Sequence, residues 1–236
     1  MRANPRRVIA ALALLAPFAV SESQAAEDEW SYEMIPFVWA AGIKGNEGIR
    51  GNIVAVDESF SDLVDFVNVG ASMRVMARRE HVGWFGEASY VELQADSSTP
   101  IGGVRATVTS TFAEGGLSYD LNSALALYAG LRYQQADTKL QFPNNRLSDT
   151  QSWIDGIVGA RWAPVISDNW VLWARADIGG GSSDLVWLAE AGGGYRWGSR
   201  WGAYLAYRML DTDYKNGGFV YDIRQSGLLL GFGIRF

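Results

Sequence analysis

The chain has 236 residues, 48 % of them hydrophobic and 13 % aromatic, with 27 Gly, no Cys and a formal net charge of −6. That length suits one barrel or one to two soluble domains, and the absence of Cys excludes a disulfide framework and a thiolate metal site. The acidic balance argues against nucleic acid as a partner.

Residues 1–25 read as a secretory signal. Arg2, Arg6 and Arg7 form a basic start, residues 8–20 an apolar run of 13, and Ser23-Gln24-Ala25 a small-residue cleavage site. The run is too short for a spanning helix. The segment carries three Arg against Glu22, so its removal takes the net charge to −8. No later stretch approaches the ~18 uninterrupted apolar residues of a transmembrane helix. If residues 26–236 enter a membrane, they do so as a closed barrel, because lipid cannot satisfy an open sheet edge.

Period-two alternation recurs from residue 30 onward. Segment 30–42 comes first, with Tyr32, Met34, Pro36 and Val38 on one face and Glu33, Ile35, Phe37 and Trp39 on the other. Pro36 cannot donate to a ladder and predicts a bulge or a position with a free N–H direction. Residues 43–67 read as the longest external loop, with a short strand and a helical turn capped by Ser61 or Asp62. Segments 69–79, 84–96, 104–119 and 125–137 follow, then 153–162, 170–180, 185–197, 201–213 and 222–236. Each sets large apolar side chains against small, polar or charged ones, as in Leu127, Leu131 and Tyr133 against Arg132 and Gln134. The expectation is all-β: a transmembrane antiparallel up-and-down β-barrel of ten strands, eight and twelve being the neighbouring even counts. An even number puts both termini on the periplasmic side. Short turns near Glu80, Asn122, Asp168 and Gly198 alternate with longer, Gly- and Asp-rich links. Trp84, Trp170, Trp201, Tyr119, Trp162, Tyr195 and Phe236 fall at the short-turn end as half of an aromatic girdle.

With the apolar face turned to lipid, thirteen charged residues face the lumen: Glu33, Arg74, Glu87, Glu114, Arg132, Asp155, Arg161, Arg175, Asp177, Glu190, Arg196, Arg208 and Arg235. All but the carboxylates are Arg, whose planar fork suits bidentate pairing, so these residues predict either a filled ionic core or a polar solute path. The three Lys, at 44, 139 and 215, fall at external positions. The last strand places Leu230, Phe232, Ile234 and Phe236 on one face and ends on Phe, like the strand by which outer-membrane barrels are recognised for assembly.

Chemistry-bearing motifs are sparse. Outer-membrane proteases, deacylases and phospholipases use a His base, and the single His, His81, falls in a short turn on the opposite side from external active sites. No nucleophile elbow, phosphate loop or His-based metal spacing occurs, so neither an enzyme nor a metal or other cofactor is expected. Acid clusters near Asp57, Asp62 and Asp211 read as a solvated rim.

The blocks at residues 36–42, 59–63, 155–161, 177–180 and 207–214 resemble a group of small, porin-like proteobacterial outer-membrane barrel proteins. The resemblance implies fold and location but no activity. The partners expected of a barrel in that location are outer-membrane lipid and lipopolysaccharide and, through its last strand, the barrel assembly machinery. Three readings stand at this point: a narrow, porin-like lumen for small solutes or ions or a purely structural role; a binding protein for a lipid or apolar ligand with 43–67 as its lid; and, against the motif evidence, an outer-membrane hydrolase.

Overall fold

The computed structural model describes residues 29–49, 52–99, 102–141 and 146–236. The signal segment 1–25 lies outside them. The strands are β1 (Ser31–Ile49), β2 (Asn52–Glu58), β3 (Val67–Arg79), β4 (Val82–Thr99), β5 (Gly102–Asp120) and β6 (Leu125–Gln141). They continue with β7 (Arg146–Trp162), β8 (Trp170–Gly181), β9 (Leu185–Trp197), β10 (Trp201–Asn216) and β11 (Phe219–Arg235). Each strand from β3 to β11 pairs antiparallel with the next, β1 pairs with β3, and β11 returns to β1. Among the described residues, ten strands thus close a barrel, with β2 folded back on the upper half of β1. Closure matters because an edge left open in lipid would strand its N–H and C=O groups.

The alternation read from the sequence is the alternation of the wall. On β11, Leu228 and Leu230 are 54 % and 63 % exposed while Leu229 between them is 2 % exposed, so the large outward set faces lipid. Between them sit inward glycines, and their smallness is used. A Cβ at Gly231 would meet Ile35, and one at Gly233 would meet the ring of Tyr204 at 2.6 Å. The closing strand is therefore a thin wall that lets neighbouring side chains fill the lumen. At Pro36 the β1–β11 ladder lapses over residues 35 and 36 and resumes in the same register, which is the free-N–H outcome and not a bulge.

Two expectations about the loop end are corrected. The links there are not long: β4 to β7 run 17 to 19 residues, so pairing continues well past the ~9–11 residues that cross a bilayer. The β10–β11 link is Gly217-Gly218, both at positive φ (56° and 90°), which lets Asn216 pair with Phe219 across a two-residue hairpin. Residues 43–58 likewise form a hairpin, β1–β2, in place of an open loop.

A helical turn, α1 (Phe60–Leu63), then a 3-10 turn (Val64–Phe66), leads into β3, packing on β1 and β4 as part of the wall. Its cap is Ser59, not Ser61 or Asp62, because Asp62 is the acceptor. The Asp62 carboxylate takes the Ser59 N–H at 3.0 Å and its hydroxyl at 2.5 Å. These bonds from Ser59 hold the Asp62 carboxyl below its usual range. A depressed carboxyl stabilises the turn above its unfolded pKa, and that contribution disappears as pH falls through the folded value. In a pH titration followed by carboxyl-carbon NMR, Ser59→Ala should raise the Asp62 midpoint; an unmoved midpoint would contradict the cap.

Candidate functional site

Register alone lines up a row of charges around the lumen. Across successive strand pairs, Arg74 faces Glu87, Glu87 faces Glu114, Glu114 faces Arg132, Arg175 faces Glu190, and Glu190 faces Arg208. Curvature then folds this row onto itself across the lumen. Arg74 donates to Glu87 at 2.7 Å and grips both oxygens of Glu190 at 3.0 and 2.8 Å from the far wall. Arg208 does the reverse, reaching Glu190 at 2.7 and 2.6 Å and Glu87 at 2.5 and 3.1 Å. A second knot joins Arg132 to Glu114 at 2.7 Å and to Asp177 at 2.9 Å. Arg175 ties the two together, 2.8 Å from Glu114 and 3.7 Å from Glu87 and Glu190. Four guanidinium forks thus meet four carboxylates in a layer of zero net charge.

The layer is largely buried and roofed by rings. Arg132 and Arg208 are 0 % and 1 % exposed. The Arg208 guanidinium lies over the rings of Phe37 and Trp39 at 5.5 and 5.2 Å, and that of Arg132 lies 5.7 Å from Phe112. The Tyr128 hydroxyl donates to Asp177 at 2.8 Å and the Trp173 indole to Glu190 at 2.9 Å, meeting lone pairs that the forks leave. On the loop side the lumen is filled by Val186, Leu188 and Leu210, then by Trp153 stacked on Tyr214 at 4.5 Å beside Phe219. On the terminal side the lumen opens into a cavity of ≈460 Å³.

Eight of the thirteen lumen residues expected from the sequence meet in this layer. The other five do not. Asp155, although opposite Arg132 in register, turns its carboxylate to the amide and hydroxyl of Ser183, both at 2.7 Å, and ties down the β8–β9 link. Glu33 accepts from Tyr204, while Arg161, Arg196 and Arg235 line the terminal cavity. The inward apolar groups Phe37, Phe112, Tyr128 and Trp173 are functional parts of the layer that charge patterning overlooked. They stand at the same parity as the charges, and that parity was the available signal.

The acid clusters and Lys residues stay at the rim: Lys44 pairs with Asp57 at 2.7 Å, and Lys215 with Asp213 at 2.9 Å. His81 sits in the exposed β3–β4 turn, its ring 6.1 Å from that of Tyr119. Among the described residues no group of His, Cys, Asp and Glu is placed to hold a metal ion.

No protein-family model and no curated sequence matches the chain. Solved structures do. The outer-membrane protease OmpT from Escherichia coli superimposes with a TM-score of 0.52 at 10 % identity, over 91 % of this chain and 99 % of that one. Ail, the attachment invasion locus protein of Yersinia pestis, matches 89 % of this chain and 99 % of its own at 13 % identity, TM-score 0.44. Neisserial surface protein A matches 88 % and 98 % at 12 % identity, TM-score 0.35. At such identities likeness is one of architecture: the chain has the fold of an outer-membrane β-barrel.

Proposed function

We propose that the protein resides in a bacterial outer membrane as a sealed, non-conducting barrel, structural in role, and not as a porin. The observation that carries this reading is the buried, charge-neutral layer of four Arg and four carboxylates spanning the lumen. An ion crossing it would have to displace buried, carboxylate-paired forks in a site roofed by rings. A ten-stranded barrel is also near the size at which side chains fill the interior. Delivery by the 1–25 signal and assembly through the Leu230, Phe232, Ile234 and Phe236 face belong to the same reading. The lid alternative finds less support, since the 59–66 turn packs into the wall and leaves Phe66 45 % exposed.

Planar-bilayer recording on the refolded protein tests the seal. The wild type should show no conductance steps, whereas the charge-neutral double variant Glu87→Ala with Arg208→Ala, which removes one complete pair from the layer, should show brief openings. Steps of similar size in the wild type would overturn the proposal.

A further inference from the structure

The terminal cavity holds more positive charge than its carboxylates can use. Six Arg and four Glu line it, in a chain whose net charge is −6. Glu87, Glu114 and Glu190 are consumed by the ionic layer that forms its floor. Toward the mouth, Arg78 is taken by Asp120 at 2.6 Å. What remains is Glu33 against three bases, and Glu33 is engaged by the Tyr204 hydroxyl.

Those three bases are short of partners. Arg161 makes no ion pair or hydrogen bond with any described residue, and its cross-strand neighbours are Ala126 and a second cation, Arg175. Among the described residues the Arg196 side chain makes one hydrogen bond, a 3.5 Å approach of its Nε to the Tyr204 hydroxyl. Arg235 stands opposite Glu33 in register, yet its Nε is buried without a hydrogen-bond partner. A buried donor left unmet costs its full desolvation, so a molecule retains one only where something else satisfies it. Deeper in, Phe85, Tyr128, Trp173 and Leu229 give the same cavity an apolar wall. A volume of ≈460 Å³ falls within the range of small-molecule sites.

We infer that this cavity is an anion-binding site, accepting from the terminal side a small amphiphile whose carboxylate or phosphate head is clasped by Arg161, Arg196 and Arg235 while its apolar body lies against Trp173 and Phe85. The site is independent of the seal, because a lumen that leaked through the ionic layer would leave these three bases where they are.

Calorimetric titration of the refolded barrel in non-ionic detergent tests this, with 2-naphthoate and 1-naphthyl phosphate as anionic probes and 2-naphthol as the neutral one. The anions should bind at least about tenfold more tightly than the naphthol, and Arg161→Gln and Arg196→Gln should each weaken them about tenfold without altering the naphthol. Arg161 has no hydrogen bond or ion pair with a described residue to lose, so its variant should keep the mobility of the folded barrel on unheated gels. Equal affinity for anion and naphthol, no binding of either anion, or unchanged anion affinity in both variants would overturn the inference. Repeating the titration in nanodiscs separates two sources of the head group. Competition by phosphatidylglycerol, relative to phosphatidylcholine, assigns the site to a lipid phosphate; its absence assigns it to a soluble anion.

Discussion

Arg208→Ala should destabilise the barrel by about 3–5 kcal/mol, read as a lower urea midpoint for unfolding from lipid vesicles followed by tryptophan fluorescence. The size follows from what is left behind. From β10, Arg208 donates to both Glu87 and Glu190, and these carboxylates are 4 % and 2 % exposed. Without it, two buried charges share Arg74 and the more distant Arg175. Lys should rescue poorly, since a point charge cannot replace four hydrogen bonds made by one planar fork. Arg224 serves as the internal comparison. Its pair with Asp211 lies at the surface with the guanidinium side chain 54 % exposed, so Arg224→Ala should cost no more than about 1 kcal/mol. Equal midpoints for the two variants would contradict the ordering.

Gly227→Val should prevent closure altogether. A Cβ at this position would stand 1.9 Å from the carbonyl oxygen of Ala40 and 2.7 Å from its carbon, both backbone. Neither strand can retreat, because Gly227 is paired with Ala41 on one side and with Arg208 on the other. Relief requires breaking the β1–β11 ladder in its middle, which exposes unpaired amides to lipid at several kcal/mol each. The expected result is loss of the fast-migrating folded band on unheated gels and of resistance to added protease. Gly156→Ala, whose Cβ would meet nothing nearer than 3.9 Å, should fold like the wild type.

The parts of the fold that could be read from sequence are those where two different solvents meet the two faces of a strand. Leu228, Leu230 and Phe232 against Leu229 and Gly231 needed only period two, because one face touches lipid and the other the lumen. Above the bilayer both faces meet water, so the alternation fades while the hydrogen-bond ladder continues; residues 43–58 therefore looked like a loop and form a hairpin. The charged layer was legible as an inventory and in its nearest-neighbour pairs, such as Arg74 with Glu87. Its cross-lumen pairs were not, since Arg74 with Glu190 and Arg208 with Glu87 join residues 116 and 121 apart through barrel curvature, which no local pattern encodes. The capture of Asp155 by Ser183 was hidden for a similar reason, being a property of a link and not of a strand.

Those long-range pairs also bear on how the chain assembles. Nearly every ladder joins strands adjacent in sequence, so most of the wall can form hairpin by hairpin with little loop-closure entropy. Apart from β1–β3, which skips only β2, the β1–β11 ladder and the cross-lumen forks are the exceptions, and they arise together. Until the two ends of the sheet meet, Glu87 and Glu190 each lack the Arg from the opposite wall. A sheet inserted but not closed would carry under-compensated carboxylates as well as open edges. Partially assembled species are thereby doubly disfavoured, and the final step of folding should be all-or-none.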